Sequence, residues 1–157
     1  MTASRSHVTT ALKEAATSYW LKKGYSCYLE IAVLPWGKMR ADMLGLNMKA
    51  DLVMCEVKSS VADYRTDKKW QNYLEYSDRL YFVFSSDVYL KLQDEYAEFK
   101  RLGVGVLVLS ETTGYLECKI QAKRRAIAGK VRKNIIVRMA FRHGISKRKN
   151  RRKRVFL

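Results

Sequence analysis

The chain is poor in proline, with one residue, and in histidine, with two, His7 and His143. One proline among only eight glycines excludes a Pro/Gly-rich disordered chain. So few histidines, with no Cys-x-x-Cys, argue against a zinc site. Cysteine is scarce too: Cys27, Cys55 and Cys118 are an odd number at wide spacing, each in an apolar run. They read as small buried hydrophobes in a reducing, cytoplasmic setting. No apolar run of about 18 residues occurs, so no membrane partner is expected, and the opening residues lack the apolar core of a secretory signal.

Acid is absent from the last quarter of the chain. Residues 1–118 hold 15 Lys/Arg and 15 Asp/Glu, whereas residues 119–157 hold 16 Lys/Arg and no acid, so the net charge of +16 lies wholly in that segment. Like charges at this density repel unless a polyanion neutralises them. The division implied is a neutral domain over 1–118 and a basic, nucleic-acid-binding extension over 119–157.

What is present is 48% hydrophobic and 11% aromatic, enough for one packed core in 157 residues. Apolar residues at three- and four-residue spacing predict a helix over 6–23, stopped by Gly24. Period-two alternation predicts strands over 25–34, 39–46 and 51–58, with a four-residue turn at 47–50. Ser60 caps a helix expected to run to about Tyr76. The continuous apolar run in 80–85 predicts a central strand covered on both faces. A helix over 88–102 leads to strands over 104–109 and 115–120, then a basic helix over 121–142 and a disordered arm over 145–157. The order gives a mixed α/β sandwich.

One pattern carries chemistry. Glu56 and Lys58 are two apart on a strand and share a face. If the hairpin turn centres near residue 49, Asp42 lies opposite Glu56, with Cβ atoms about 4.5–5.5 Å apart. Two carboxylates that close repel unless a cation lies between them, and magnesium prefers hard oxygen ligands of this kind. Asp51 fails the same test, lying roughly 17 Å back along the strand, and reads as a turn residue. Asp42, Glu56 and the Val57 carbonyl would hold Mg²⁺ or Mn²⁺, and Lys58 would position water or stabilise phosphate charge. Phosphodiester hydrolysis is the matching reaction.

Asp42, then thirteen residues, then Glu56-Val57-Lys58 is similar to the signature of the PD-(D/E)XK nuclease superfamily. Arg40-Ala41-Asp42-Met43, Glu56-Val57-Lys58-Ser59-Ser60 and the run Asp63 to Phe82, with Asp67-Lys68-Lys69-Trp70, resemble the MmcB-like DNA-repair family. Ala41 stands where the superfamily name expects proline. The resemblance implies a restriction-endonuclease-like αβββαβ core with a mixed sheet, DNA as substrate and a divalent metal as cofactor. Superfamily members often add an acid, and Glu30 is the better candidate, ahead of Glu14. Lys69 and Gln71 are candidates for phosphate contact, Trp70 for the core.

In the extension, Arg124, Arg125, Lys147, Arg148, Arg151 and Arg152 are candidate nucleic-acid contacts. RNA as partner and a homodimeric state stay open. The reading is a Mg-dependent deoxyribonuclease; its rival is a non-catalytic nucleic-acid-binding protein on the same core. Deleting residues 145–157 should weaken DNA binding and flatten its salt dependence, by roughly 0.9 log unit per lost phosphate contact for each tenfold change in salt. Unchanged binding of the truncated chain in a salt titration would refute a role for the arm in holding DNA.

Overall fold

The computed structural model describes residues 4–143. The arm expected over 145–157, with Lys147, Arg148, Arg151 and Arg152, lies outside the described residues. A helix, α1 (Arg5–Lys22), precedes three antiparallel strands, β1 (Ser26–Ala32), β2 (Arg40–Leu46) and β3 (Leu52–Val57). A crossover containing α2 (Val61–Thr66) leads to β4 (Arg79–Ser85), parallel to β3. A second, with α3 (Ser86–Lys91) and α4 (Tyr96–Leu102), leads to β5 (Gly105–Leu109), parallel to β4. Antiparallel β6 (Leu116–Ile120) closes one six-stranded sheet in sequence order, and α5 (Gly129–His143) follows. The mixed sheet and the αβββαβ order are those expected.

Alternation along the strands divides the core into two layers. On one face Leu12, Ala16 and Trp20 of α1 pack on Met43, Val53, Cys55 and Tyr81. On the other, Leu44, Leu52, Met54, Phe82 and Phe84 lie under Tyr64, Trp70 and Phe99, with Ile135 and Met139 of α5. Residues Leu80 to Phe84 of β4 are all buried, which is why that strand reads as an unbroken apolar run.

Three helices differ from the sequence expectation. The one expected from Ser60 to Tyr76 is α2, capped by Ser60, then a separate 3-10 helix over Trp70–Glu75. Tyr64 and Trp70 both pack against Phe82 and Phe99, yet residues six apart on a continuous α-helix point roughly 120° apart. The break lets both rings face the sheet. At the break the Asp67 carboxylate accepts the Lys69 N–H at 2.9 Å, a local bond that competes with helix. The helix expected over 88–102 is likewise two helices with a 3-10 turn between them, ended by Gly103 at φ 71. The basic helix starts at Gly129, after a stretch of irregular backbone.

The charge step at 118/119 falls inside β6, and Ile120, Ala122, Ile135 and Met139 beyond it are buried. The packed unit therefore continues through α5. All three cysteines are free; Cys55 is buried and Cys27 half-buried, but Cys118 is exposed on the edge strand, against the expectation of burial.

Buried Asp78 ties α5 to the sheet. Its Oδ2 accepts the Leu52 N–H at 2.7 Å, and Arg132 grips both oxygens at 2.6 and 2.7 Å. Arg132 also donates to the Ala50 carbonyl at 2.8 Å, while Arg124 pairs with Asp51 at 2.9 Å. Burial works to raise the Asp78 carboxyl, but Arg132 and the Leu52 N–H outweigh it and hold the group below its usual 3.8. Asp51 otherwise closes the hairpin turn with Asn47, as expected.

Asp78→Ala should cost about 3–5 kcal/mol in denaturant unfolding at neutral pH, because Arg132 and the Leu52 N–H lose their partner. A carboxyl held low when folded stabilises above its unfolded value and stops doing so as pH falls through the folded one. The gap between wild type and Asp78→Ala should therefore narrow below about pH 4. A loss under about 1 kcal/mol at neutral pH would show that the clamp is dispensable.

Candidate active site

The β2–β3 register pairs Met43 with Cys55 and Leu44 with Met54, so continuing it by one residue sets Asp42 opposite Glu56. The backbone ladder stops at Met43–Cys55. Beyond it the side chains take over: the Val57 N–H donates to Asp42 Oδ2 at 2.8 Å, and the Asp42 N–H to Glu56 Oε1 at 3.3 Å. Each acid thus satisfies a backbone donor that the open ladder would leave bare. Glu56 lies on the face of β3 that carries Leu52 and Met54, at the strand's C-terminal end, and these bonds bring Asp42 against it.

Glu56 is 4% exposed and Asp42 half-buried, yet among the described residues neither has a Lys or Arg ion-pair partner. Burial pushes the Asp42 carboxyl up; the Val57 N–H and the Lys13 charge oppose this, Glu30 adds to it and Lys58 opposes it. Glu56 is pushed well above the usual carboxylate range, first by burial and then by the Asp42 charge, against Lys58 and the Asp42 N–H. A buried acid pair relieves its repulsion by taking up a proton or a cation. The donors are hard carboxylate oxygens with no nitrogen or sulfur among them, a set that fits Mg²⁺ or Mn²⁺. No group of three or more His, Cys, Asp and Glu that could hold a metal occurs among the described residues.

Lys58, 6% exposed, continues the β3–β4 pairing through its N–H to the Val83 carbonyl, and its ammonium meets Asp67 Oδ2 at 2.5 Å. Burial acts to raise Asp67, but bonds from Lys58 and from the Lys69 and Trp70 N–H groups bring it below its usual value. Glu30 adopts a left-handed backbone (φ 51), and the β1–β2 pairing skips its position between Leu29–Met43 and Ile31–Ala41. Its carboxylate is taken by Lys13, from the helix packed on the opposite face, with Arg40 at 3.8 Å. Tyr73 donates to the Arg40 carbonyl at 2.9 Å; burial raises its phenol, and the charges of Glu56, Asp42, Asp67 and Glu30 push the same way.

The structure therefore brings Asp42, Glu56, Val57, Lys58 and Glu30 together where the β2–β3 ladder ends. Lys69 and Gln71 are exposed close by, just past Asp67. Glu14 stays apart, lining a groove of about 930 Å³ between α1 and the β5–β6 turn. Arg124 and Arg125 lie elsewhere and have intramolecular partners: Arg124 holds Asp51, and Arg125 donates to the Leu102 and Gly103 carbonyls. Sequence reasoning missed Lys13 and Asp67 as site residues. Asp67 lies nine positions after Lys58 across a helix, a separation with no periodic signal.

No curated protein matches the chain. Among solved structures, a protein of unknown function from Silicibacter pomeroyi, SPO1766, is 26% identical with a TM-score of 0.68, over 83% of this chain and 82% of that one. Pyrococcus furiosus SfsA in complex with Ca²⁺ is a looser likeness, 17% identical with a TM-score of 0.40, over 76% and 64% of the two chains. The family described as DNA repair protein MmcB-like matches residues 1–151, and the chain belongs to that family.

Proposed function

We propose that the chain is a Mg²⁺- or Mn²⁺-dependent deoxyribonuclease of the PD-(D/E)XK type, hydrolysing phosphodiester bonds in DNA repair or recombination. The observation that carries this reading is the pair of buried Glu56 and half-buried Asp42, opposed across a hairpin beside Lys58 with no ion-pair partner among the described residues. The family's DNA-repair description supports DNA as the substrate. Three free cysteines suit a reducing cytoplasm.

Asp42 and Glu56 hold the cation. Val57 completes the set: its N–H faces β2, and the N–H and C=O of one strand residue leave on the same side, so its carbonyl faces the same gap. A divalent ion held there supplies polarisation of a phosphoryl oxygen and a bound water of lowered pKa. Lys58, two residues past Glu56 on the same face, stabilises charge developing on the phosphate. Glu30 acts one step back, holding Lys13 and Arg40 beside Asp42. Exposed Lys69 and Gln71 contact the DNA backbone at the rim. Exposed Lys130 and Lys133 of α5, with the basic residues that follow it, add a grip indifferent to sequence.

The test is cleavage of duplex, nicked, branched and single-stranded DNA with Mg²⁺ or Mn²⁺. Wild type should cut at least one substrate, Asp42→Ala should not, and Lys58→Ala should be slower by roughly 10²–10³-fold. DNA binding without cleavage of any substrate would overturn the enzyme reading in favour of a non-catalytic DNA-binding protein.

A further inference from the structure

Lys58 shares its strand face with Glu56, so the Asp42–Glu56 pair, which has no ion-pair partner among the described residues, is the obvious destination for its ammonium. It goes instead to Asp67, at 2.5 Å. Asp67 is itself fixed in place. Its N–H donates to the Tyr64 carbonyl at 3.2 Å, and its Oδ1 accepts the Lys69 N–H at 2.9 Å. It sits at the break between α2 and the following 3-10 helix, and that break is set by Tyr64 and Trp70 both packing on the sheet. The carboxylate that receives Lys58 is thus anchored by the core, while Lys58 has a long, rotatable stem.

We propose that Asp67 is a positioning residue that holds Lys58 away from the Asp42–Glu56 pair, keeping the pair's charge for a divalent cation. This rests on the metal reading given above. Without Asp67, the Lys58 ammonium turns to the two nearby carboxylates, forms an internal ion pair and competes with the cation for the same oxygens. Lys58 is then positioned for phosphate only while Asp67 holds it.

Mn²⁺ alone, titrated into the full chain by calorimetry, tests this without reference to cleavage. Asp67→Asn should weaken Mn²⁺ binding roughly tenfold, a typical size for such coupling. Adding Lys58→Met to Asp67→Asn should restore the affinity to within about threefold of wild type, because the competitor is gone. Asp67→Ser serves as a second single variant if Asp67→Asn melts early, and should behave alike. Wild-type affinity in a folded Asp67 variant, or a double variant as weak as the single one, overturns the proposal and leaves the metal site standing. Mn²⁺ binding that is absent from wild type, or that survives Asp42→Asn unchanged, overturns the metal reading and the proposal with it.

Discussion

A strand buried on both faces cannot leave its end N–H groups bare, and β3 answers this at each end with a carboxylate. Asp78 Oδ2 accepts the Leu52 N–H where β3 begins, and Asp42 Oδ2 accepts the Val57 N–H where the β2–β3 ladder stops. The backbone requirement is the same; the electrostatics are opposite. Arg132 grips Asp78 with both nitrogens, and that acid lies below its usual range. Asp42 faces Glu56 with no ion-pair partner among the described residues, and both acids lie above theirs. An acid that stabilises a fold is normally compensated by a paired cation, and this is the contrast between Asp78 and the Asp42–Glu56 pair.

The basic segment has a double character. Charge alone divides the chain near residue 118, but Arg132 and Arg124 tie that segment to Asp78 and Asp51, and Ile135 and Met139 sit in the main core. Some of its positive charge is therefore structural, directed at acids and carbonyls of the domain. Exposed Lys130 and Lys133 remain open to solution on the same helix.

One strained backbone position lies beside the candidate site. A left-handed conformation costs a non-glycine residue about 1–2 kcal/mol, and Glu30 carries one. Lys13 and Arg40 hold the carboxylate of that residue, and Lys13 brings the charge of α1 to bear on Asp42. Across the site, Asp67 does the same for Lys58, through a helix break that the core requires. The flanking charges are thus fixed by packing and not by the acids themselves.

Local rules in the sequence determined a good deal. Period-two alternation and a short turn set the β2–β3 register, and that register chose Asp42 over Asp51 as the partner of Glu56. The apolar run of β4 marked a central strand, and the strand and helix periods gave the αβββαβ order. Each depends on neighbours close in the chain, where spacing and geometry are equivalent. Only the tertiary structure decided the rest. Tyr64 and Trp70 broke a helix in order to reach one aromatic cluster, and the break placed Asp67 on Lys58. Asp78 met Arg132, 54 positions later, and made the basic helix part of the domain. Such contacts join groups whose separation in sequence carries no period, so packing alone assigns which charges are compensated and which are left free.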